Sequence, residues 1–179
     1  KTLLLRLGSA AAAGNYSLAN RVVAAATTPL VAYVLAMAPR LFRVGVTGVN
    51  AGSGYAIKLL LPILAYGVLA GCGIFVLAPL LPVLFGDSFS SAVPIVRALA
   101  ALPLLLGISS LLLTVLTCSG AQRVRVVLEA GVLIFNVALN LVLIPMFDIF
   151  GSVGASLASQ FALAVMAVVA IFHLARQEV

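Results

Sequence analysis

Residues Ile57–Leu81 read IKLLLPILAYGVLAGCGIFVLAPLL, with a single charge, Lys58, at the start. A helix rises about 1.5 Å per residue and the hydrocarbon core of a bilayer is about 30 Å thick, so about 20 apolar residues suffice to cross it. The stretch is long enough, and it has no polar face to turn toward water, as a surface helix of a soluble protein would. It reads as a membrane span.

Four more stretches meet the same test: Tyr16–Ala38, ended by Pro39 and Arg40; Pro94–Thr117; Val124–Ile144, closed by Pro145; and Ser152–Leu174, followed by Arg176. Between them lie segments with turn chemistry. Gly45–Gly54 is rich in Gly, Asn and Ser; Phe85–Ser91 is short and polar; Cys118–Gln122 and Pro145–Gly151 are tight. Leu3–Ala13 is too short to span and reads as the tail of a helix that begins upstream. The expected fold is an all-α integral membrane protein. It would be a polytopic helical bundle of about five complete spans plus a truncated N-terminal helix, forming one transmembrane domain over residues 1–179 of what is expected to be a longer protein.

Composition excludes the main alternatives. Hydrophobic residues are 64% of the chain and charged residues 8%, against about 45–50% and about 25% in soluble domains. The formal charge is +6. No basic cluster exceeds Arg123-Val124-Arg125, so no nucleic-acid partner is expected. Cys72 and Cys118 have no metal or redox spacing and are expected to be unpaired. Cys72, between Gly71 and Gly73, is expected in a packed helix seam. His173, the single histidine, lies near the last helix end and reads as an interfacial side chain. No nucleophile–base pair, P-loop or dinucleotide fingerprint appears, so neither an enzyme nor a cofactor is expected.

The basic residues alternate between connectors. Arg40, Arg43 and Lys58 flank the first, Arg123 and Arg125 the third, and Arg176 follows the last span; the second and fourth connectors carry Asp87 and Asp148 instead. Cytoplasmic loops are rich in Lys and Arg. The first and third connectors and the C-terminus are therefore expected in the cytoplasm, with Asp87 and Asp148 outside.

A few polar residues do not serve topology. Arg21 lies inside the first span, toward its outer end. An arginine at a span centre costs about 2.5–3.5 kcal/mol on insertion scales, and less near the interface. At 100° per residue, Ser17, Arg21, Ala24 and Thr28 share a stripe flanked by Asn20 and Thr27. Two readings stand: Arg21 lines a hydrated cavity with its neighbours, or it snorkels to the outer headgroups. Arg97 has no such stripe and reads as an interfacial arginine near lipid phosphate. Arg125, Glu129, Asn136 and Asn140 share a stripe on the fourth span. There the first two form an i, i+4 ion pair and the asparagines act as interhelical glue. Gly67 and Gly71, and Gly154 with Ala158 and Ala162, repeat at four-residue spacing and are expected to mark close helix contacts.

Three stretches together resemble the polysaccharide flippases of the multidrug/oligosaccharidyl-lipid/polysaccharide exporter superfamily. One is Leu4-Leu5-Arg6-Leu7-Gly8 with Ala13-Gly14-Asn15-Tyr16-Ser17-Leu18-Ala19-Asn20-Arg21. Another is Leu77-Ala78-Pro79 followed by Leu84-Phe85-Gly86 and Phe89. The third is Asn136, Leu139-Asn140, Leu143-Ile144-Pro145, Gly151 and Gly154-Ala155. One departure is Asp148-Ile149-Phe150, where that family more often has an early glycine; it bears on the turn.

The resemblance implies a two-lobed transporter that alternates between inward- and outward-open states around a central cavity. It would flip undecaprenyl-diphosphate-linked oligosaccharides across the bacterial cytoplasmic membrane for O-antigen, capsule or exopolysaccharide synthesis. This chain would supply most of the C-terminal lobe, and its partners would be the N-terminal lobe, membrane lipids, and a polysaccharide polymerase or glycosyltransferases. A cationic cavity would hold the diphosphate by charge-assisted hydrogen bonds. The candidate contacts are Arg21, Ser17, Asn20 and Thr28, with Arg6 and Lys1 on the truncated helix. A multidrug/cation antiporter and a peptidoglycan lipid precursor flippase are rivals within the superfamily. A structural membrane subunit without a transport path is a rival outside it.

Overall fold

A computed structural model describes residues 10–86 and 89–177, and among these every regular element is helical. Helix α1 is Ala10–Gly45 and α2 is Val49–Leu77. A 3-10 turn, Ala78–Leu80, leads to the short α3, Leu81–Phe85. Helix α4, Ala92–Ala98, joins α5, Leu102–Cys118, through the 3-10 turn Leu99–Ala101. Helices α6, Gln122–Phe147, and α7, Ile149–Gln177, complete the bundle. Among the described residues five helical runs are long and apolar enough to cross a membrane: Gly14–Gly45, Val49–Val83, Ala92–Cys118, Gln122–Phe147 and Ile149–Gln177. The protein is an all-α, polytopic helical bundle. Lys1, Arg6, most of the expected truncated helix and Asp87 lie outside the described residues; residues 10–13, expected in that helix, instead open α1 without a break before the first span.

The spans overrun the expected boundaries. Pro39 and Pro145 lie inside α1 and α6 and do not end them. A proline removes one backbone hydrogen bond, but abandoning the helix in an apolar medium would strand many more, so membrane helices continue through it. Most of the expected loop Gly45–Gly54 is helical as well, because two of its glycines serve packing. A Cβ on Gly45 would sit 2.9 Å from the Cβ of Cys118, and one on Gly52 3.2 Å from Ser119 Oγ. The chain turns at Gly48, whose φ of 128° suits glycine. Between α6 and α7 the turn is tighter still: Asp148, at φ 50°, makes it. Gly151 follows so close to the Leu143 carbonyl that a side chain there would collide.

Helix α5 is the central post. In the Ala92–Cys118 run that α5 completes, over half of the apolar window is buried (56%), against 11% for α6. One apolar cluster, with Leu30, Val34, Ile63, Leu111 and Val115, packs α1 and α2 around α5. A second, with Val23, Ile74, Ile95, Val96 and Leu99, packs the opposite end. The remaining apolar faces point outward, as Leu61, Leu69, Ile134 and Val142 do; a lipid solvent accepts such faces where water would not.

The Gly67/Gly71 seam is as expected: a Cβ on Gly67 would lie 2.9 Å from Leu104 Cα, and one on Gly71 2.7 Å from the Ala100 carbonyl oxygen. Two other expectations fail. Gly154 has nothing within 4 Å of a built Cβ and Ala158 is exposed, so the Gly154/Ala158/Ala162 repeat does not form a seam; the face that packs on α6 carries Gly151, Ala155 and Ser159 instead. Cys72 is unpaired but exposed, because the seam runs along the face of Gly67 and Gly71 and the next residue points away from it. Cys118 is buried and unpaired.

Contacts fix which helix ends lie together. Gly45 meets Cys118, and Asn50 Nδ2 donates to the Ala175 carbonyl at 3.1 Å. The end of α1, the start of α2, the end of α5 and the end of α7 therefore share one end of the bundle. Arg40, Arg43, Arg123, Arg125 and Arg176 gather there, with Lys58 further along α2.

Candidate functional site

The polar stripe of α1 borders a groove. Asn20, Ala24, Thr27, Thr28, Val31 and Leu35 form one wall, Leu102 and Leu106 of α5 the other, and the space is about 500 Å³. Thr27 Oγ1 donates to the Val23 carbonyl at 2.7 Å and Thr28 Oγ1 to that of Ala24 at 2.9 Å. Their protons are committed to the helix, so toward the groove these hydroxyls act as acceptors. Of the expected site residues, Asn20 and Thr28 meet on this wall. Arg21 is exposed, forms no ion pair among the described residues, and lies two turns before Thr28 on the same stripe. It extends the wall toward the end of the bundle opposite the basic one rather than lining the groove, and Ser17 lies another turn beyond.

Leu102 and Leu106 also border a second space of about 390 Å³, reached from their other side. Glu129 and Asn136 of α6 and Ser156, Ser159 and Gln160 of α7 line it. At 100° per residue each set falls on one stripe of its helix, and the two stripes meet directly where Asn136 reaches Ser159, with α5 bordering the space beside them. Sequence reasoning found the α6 stripe and missed that of α7. The signal was present, since Ser152, Ser156, Ser159 and Gln160 recur at three- and four-residue spacing among apolar neighbours.

The asparagines join α6 to α7, as expected. Asn136 Nδ2 donates to Ser159 Oγ at 2.9 Å and to the Ala155 carbonyl at 3.2 Å. Asn140 Nδ2 donates to the Asn136 carbonyl at 2.8 Å and to Asn136 Oδ1 at 3.1 Å, and Ser152 Oγ donates to Asn140 Oδ1 at 3.1 Å. Each amide proton has an acceptor, which is what a polar group away from water requires. Ser156 Oγ lies 3.0 Å from the Tyr16 hydroxyl, tying α7 to α1. Asn15 Nδ2 donates to Ser91 Oγ at 2.8 Å nearby.

Arg125 Nε lies 3.1 Å from Glu129 Oε1, the expected pair, and its Nη1 also donates to Thr117 Oγ1 at 2.9 Å. The guanidinium thereby clamps α6 to the end of α5. Arg97, expected at the interface, is exposed and also has a protein partner, with Nε donating to the Phe75 carbonyl at 3.3 Å and the guanidinium 5.0 Å from the Phe75 ring centre. His173 is exposed, 3.3 Å from Gln177 Nε2. Among the described residues no group of His, Cys, Asp or Glu could hold a metal ion.

The fold and these contacts define a multi-pass α-helical membrane protein whose central helix borders two mainly apolar grooves, each carrying a few polar side chains. No protein-family model, curated protein or solved structure matches the chain.

Proposed function

We propose that the chain is most of one lobe of a transporter that flips undecaprenyl-diphosphate-linked oligosaccharides across the bacterial cytoplasmic membrane, with its basic end in the cytoplasm. The observation that carries this reading is the α1 wall. Asn20, Thr27 and Thr28 open on a groove of about 500 Å³ within a span that has Arg21 as its one charge before Arg40. Lipid offers such a wall no hydrogen bonds; a hydrated headgroup does. A diphosphate needs cationic, donor-rich partners to leave water, and Arg21 at the outer end of the stripe would supply one. The three family-like stretches of sequence agree in order and spacing with a C-terminal lobe, and an N-terminal lobe would close the groove from the front. The lipid tail would stay in the bilayer.

The test is complementation. The intact protein is expressed in strains lacking a lipid-linked oligosaccharide flippase, and surface glycan is read beside membrane abundance. Restored glycan export supports the reading. Abundant protein that restores export for none of a panel of O-antigen, capsule and exopolysaccharide strains argues against it.

A further inference from the structure

The second groove contains an acceptor with nothing to accept from. Gln160 Oε1 is buried and has no hydrogen-bond partner, and Ser109 Oγ is likewise unpartnered. Ser109 is 2% exposed and follows Leu102 and Leu106 on the same stripe of α5. A buried polar atom without a partner is costly, and native proteins keep few of them. The neighbouring polar groups do not relieve it: both amide protons of Asn136 are committed to Ala155 and Ser159. Gln160 itself lines the groove, and terminal amide torsions are broad, so its oxygen is free to turn toward a ligand there.

Glu129 borders the same space, and one of its oxygens is held by Arg125 at 3.1 Å. The pair is neutral overall and leaves the second carboxylate oxygen as a further acceptor. A neutral groove with spare acceptors and an apolar floor suits a neutral ligand rich in O–H donors. A bare cation would find its single carboxylate already neutralised. The volume, about 390 Å³, is within the range of small-molecule sites, about 300–1,000 Å³.

We propose that the groove between α5, α6 and α7 takes sugar hydroxyls of the transported headgroup, with Gln160 Oε1 and Glu129 as acceptors. This rests on the flippase reading and assigns the glycan a place apart from the diphosphate.

The experiment uses the purified intact protein and native mass spectrometry with two probes, undecaprenyl diphosphate and the same lipid bearing one N-acetylhexosamine. The wild type should prefer the sugar-bearing lipid by about threefold to tenfold, the value of one or two neutral hydrogen bonds. Gln160→Leu should bring that ratio close to one. Its thermal midpoint should not fall, since the substitution removes an unpaired buried polar atom. Equal affinity for both lipids in the wild type, or an unchanged preference in Gln160→Leu, overturns the assignment. If neither lipid binds, the flippase reading falls with it. Stabilisation by sodium that Gln160→Leu abolishes, without any sugar preference, would make the groove a cation site and would also overturn it.

Discussion

Arg97 Nε donates to the carbonyl oxygen of Phe75, 3.3 Å away. That carbonyl would ordinarily accept from the backbone N–H four residues on, but residue 79 is proline and has none. A side chain from α4 thus satisfies a backbone group of α2 that its own helix cannot. The ring of Phe75 lies under the same guanidinium.

The relationship predicts a compensating pair. Arg97→Ala should destabilise the protein by about 1 kcal/mol, from one charge-assisted hydrogen bond and a partly exposed cation–π contact. In a Pro79→Ala background the helix recovers its own donor, and Arg97→Ala should cost measurably less. A double-mutant cycle on thermal unfolding in detergent reads the coupling. Additive losses would mean that Arg97 is not serving the orphaned carbonyl.

Glycine substitutions should separate the two small-residue patterns. Gly71→Val drives a side chain against the Ala100 carbonyl, 2.7 Å from the new Cβ. It should cost about 1–3 kcal/mol or more, as overpacking does. Gly154→Ala meets nothing within 4 Å and should be neutral or stabilising by up to about 1 kcal/mol through helix propensity. Unfolding midpoints of the two variants decide it; equal losses would contradict the packing described.

Topology can be read by labelling. Cys72 and Cys118 are replaced by alanine, and single cysteines are placed at Ser90 and Gln122, both exposed and at opposite ends of the bundle. An impermeant maleimide added to intact cells should label position 90 and not position 122. The reverse pattern would put the basic end outside the cell, against the charge rule.

Arg21 tests the transport mechanism by charge. In the intact protein Arg21→Ala and Arg21→Glu should lower glycan export by about tenfold or more at normal membrane abundance, the loss expected when a charge-assisted contact to phosphate disappears. Arg21→Lys should keep part of the activity, because a point charge remains although the planar fork is lost. Export assays beside an abundance blot distinguish this from snorkelling. Normal export by Arg21→Ala would leave Arg21 a headgroup anchor only.

The sequence determined the number of spans, their order, the alternation of basic connectors, the Gly67/Gly71 seam, the Arg125–Glu129 pair and the asparagine glue of α6. These follow from quantities that run along one dimension: bilayer thickness sets span length, and helical periodicity sets which residues share a stripe. Only the tertiary structure decided where each stripe points. Gly45 and Gly52 read as loop residues until Cys118 and Ser119 are seen packed on them. Gly154 and Cys72 read as seam residues until their faces are found open. Pro39 reads as a terminator because the cost of unpaired backbone in lipid is not written in the residue itself. Asn20 and Thr28 face a groove, and Gln160 is left with an unpaired oxygen, because α5 stands between α1 and α7. That is a long-range arrangement, set by packing between helices far apart in the chain, and no local pattern encodes it.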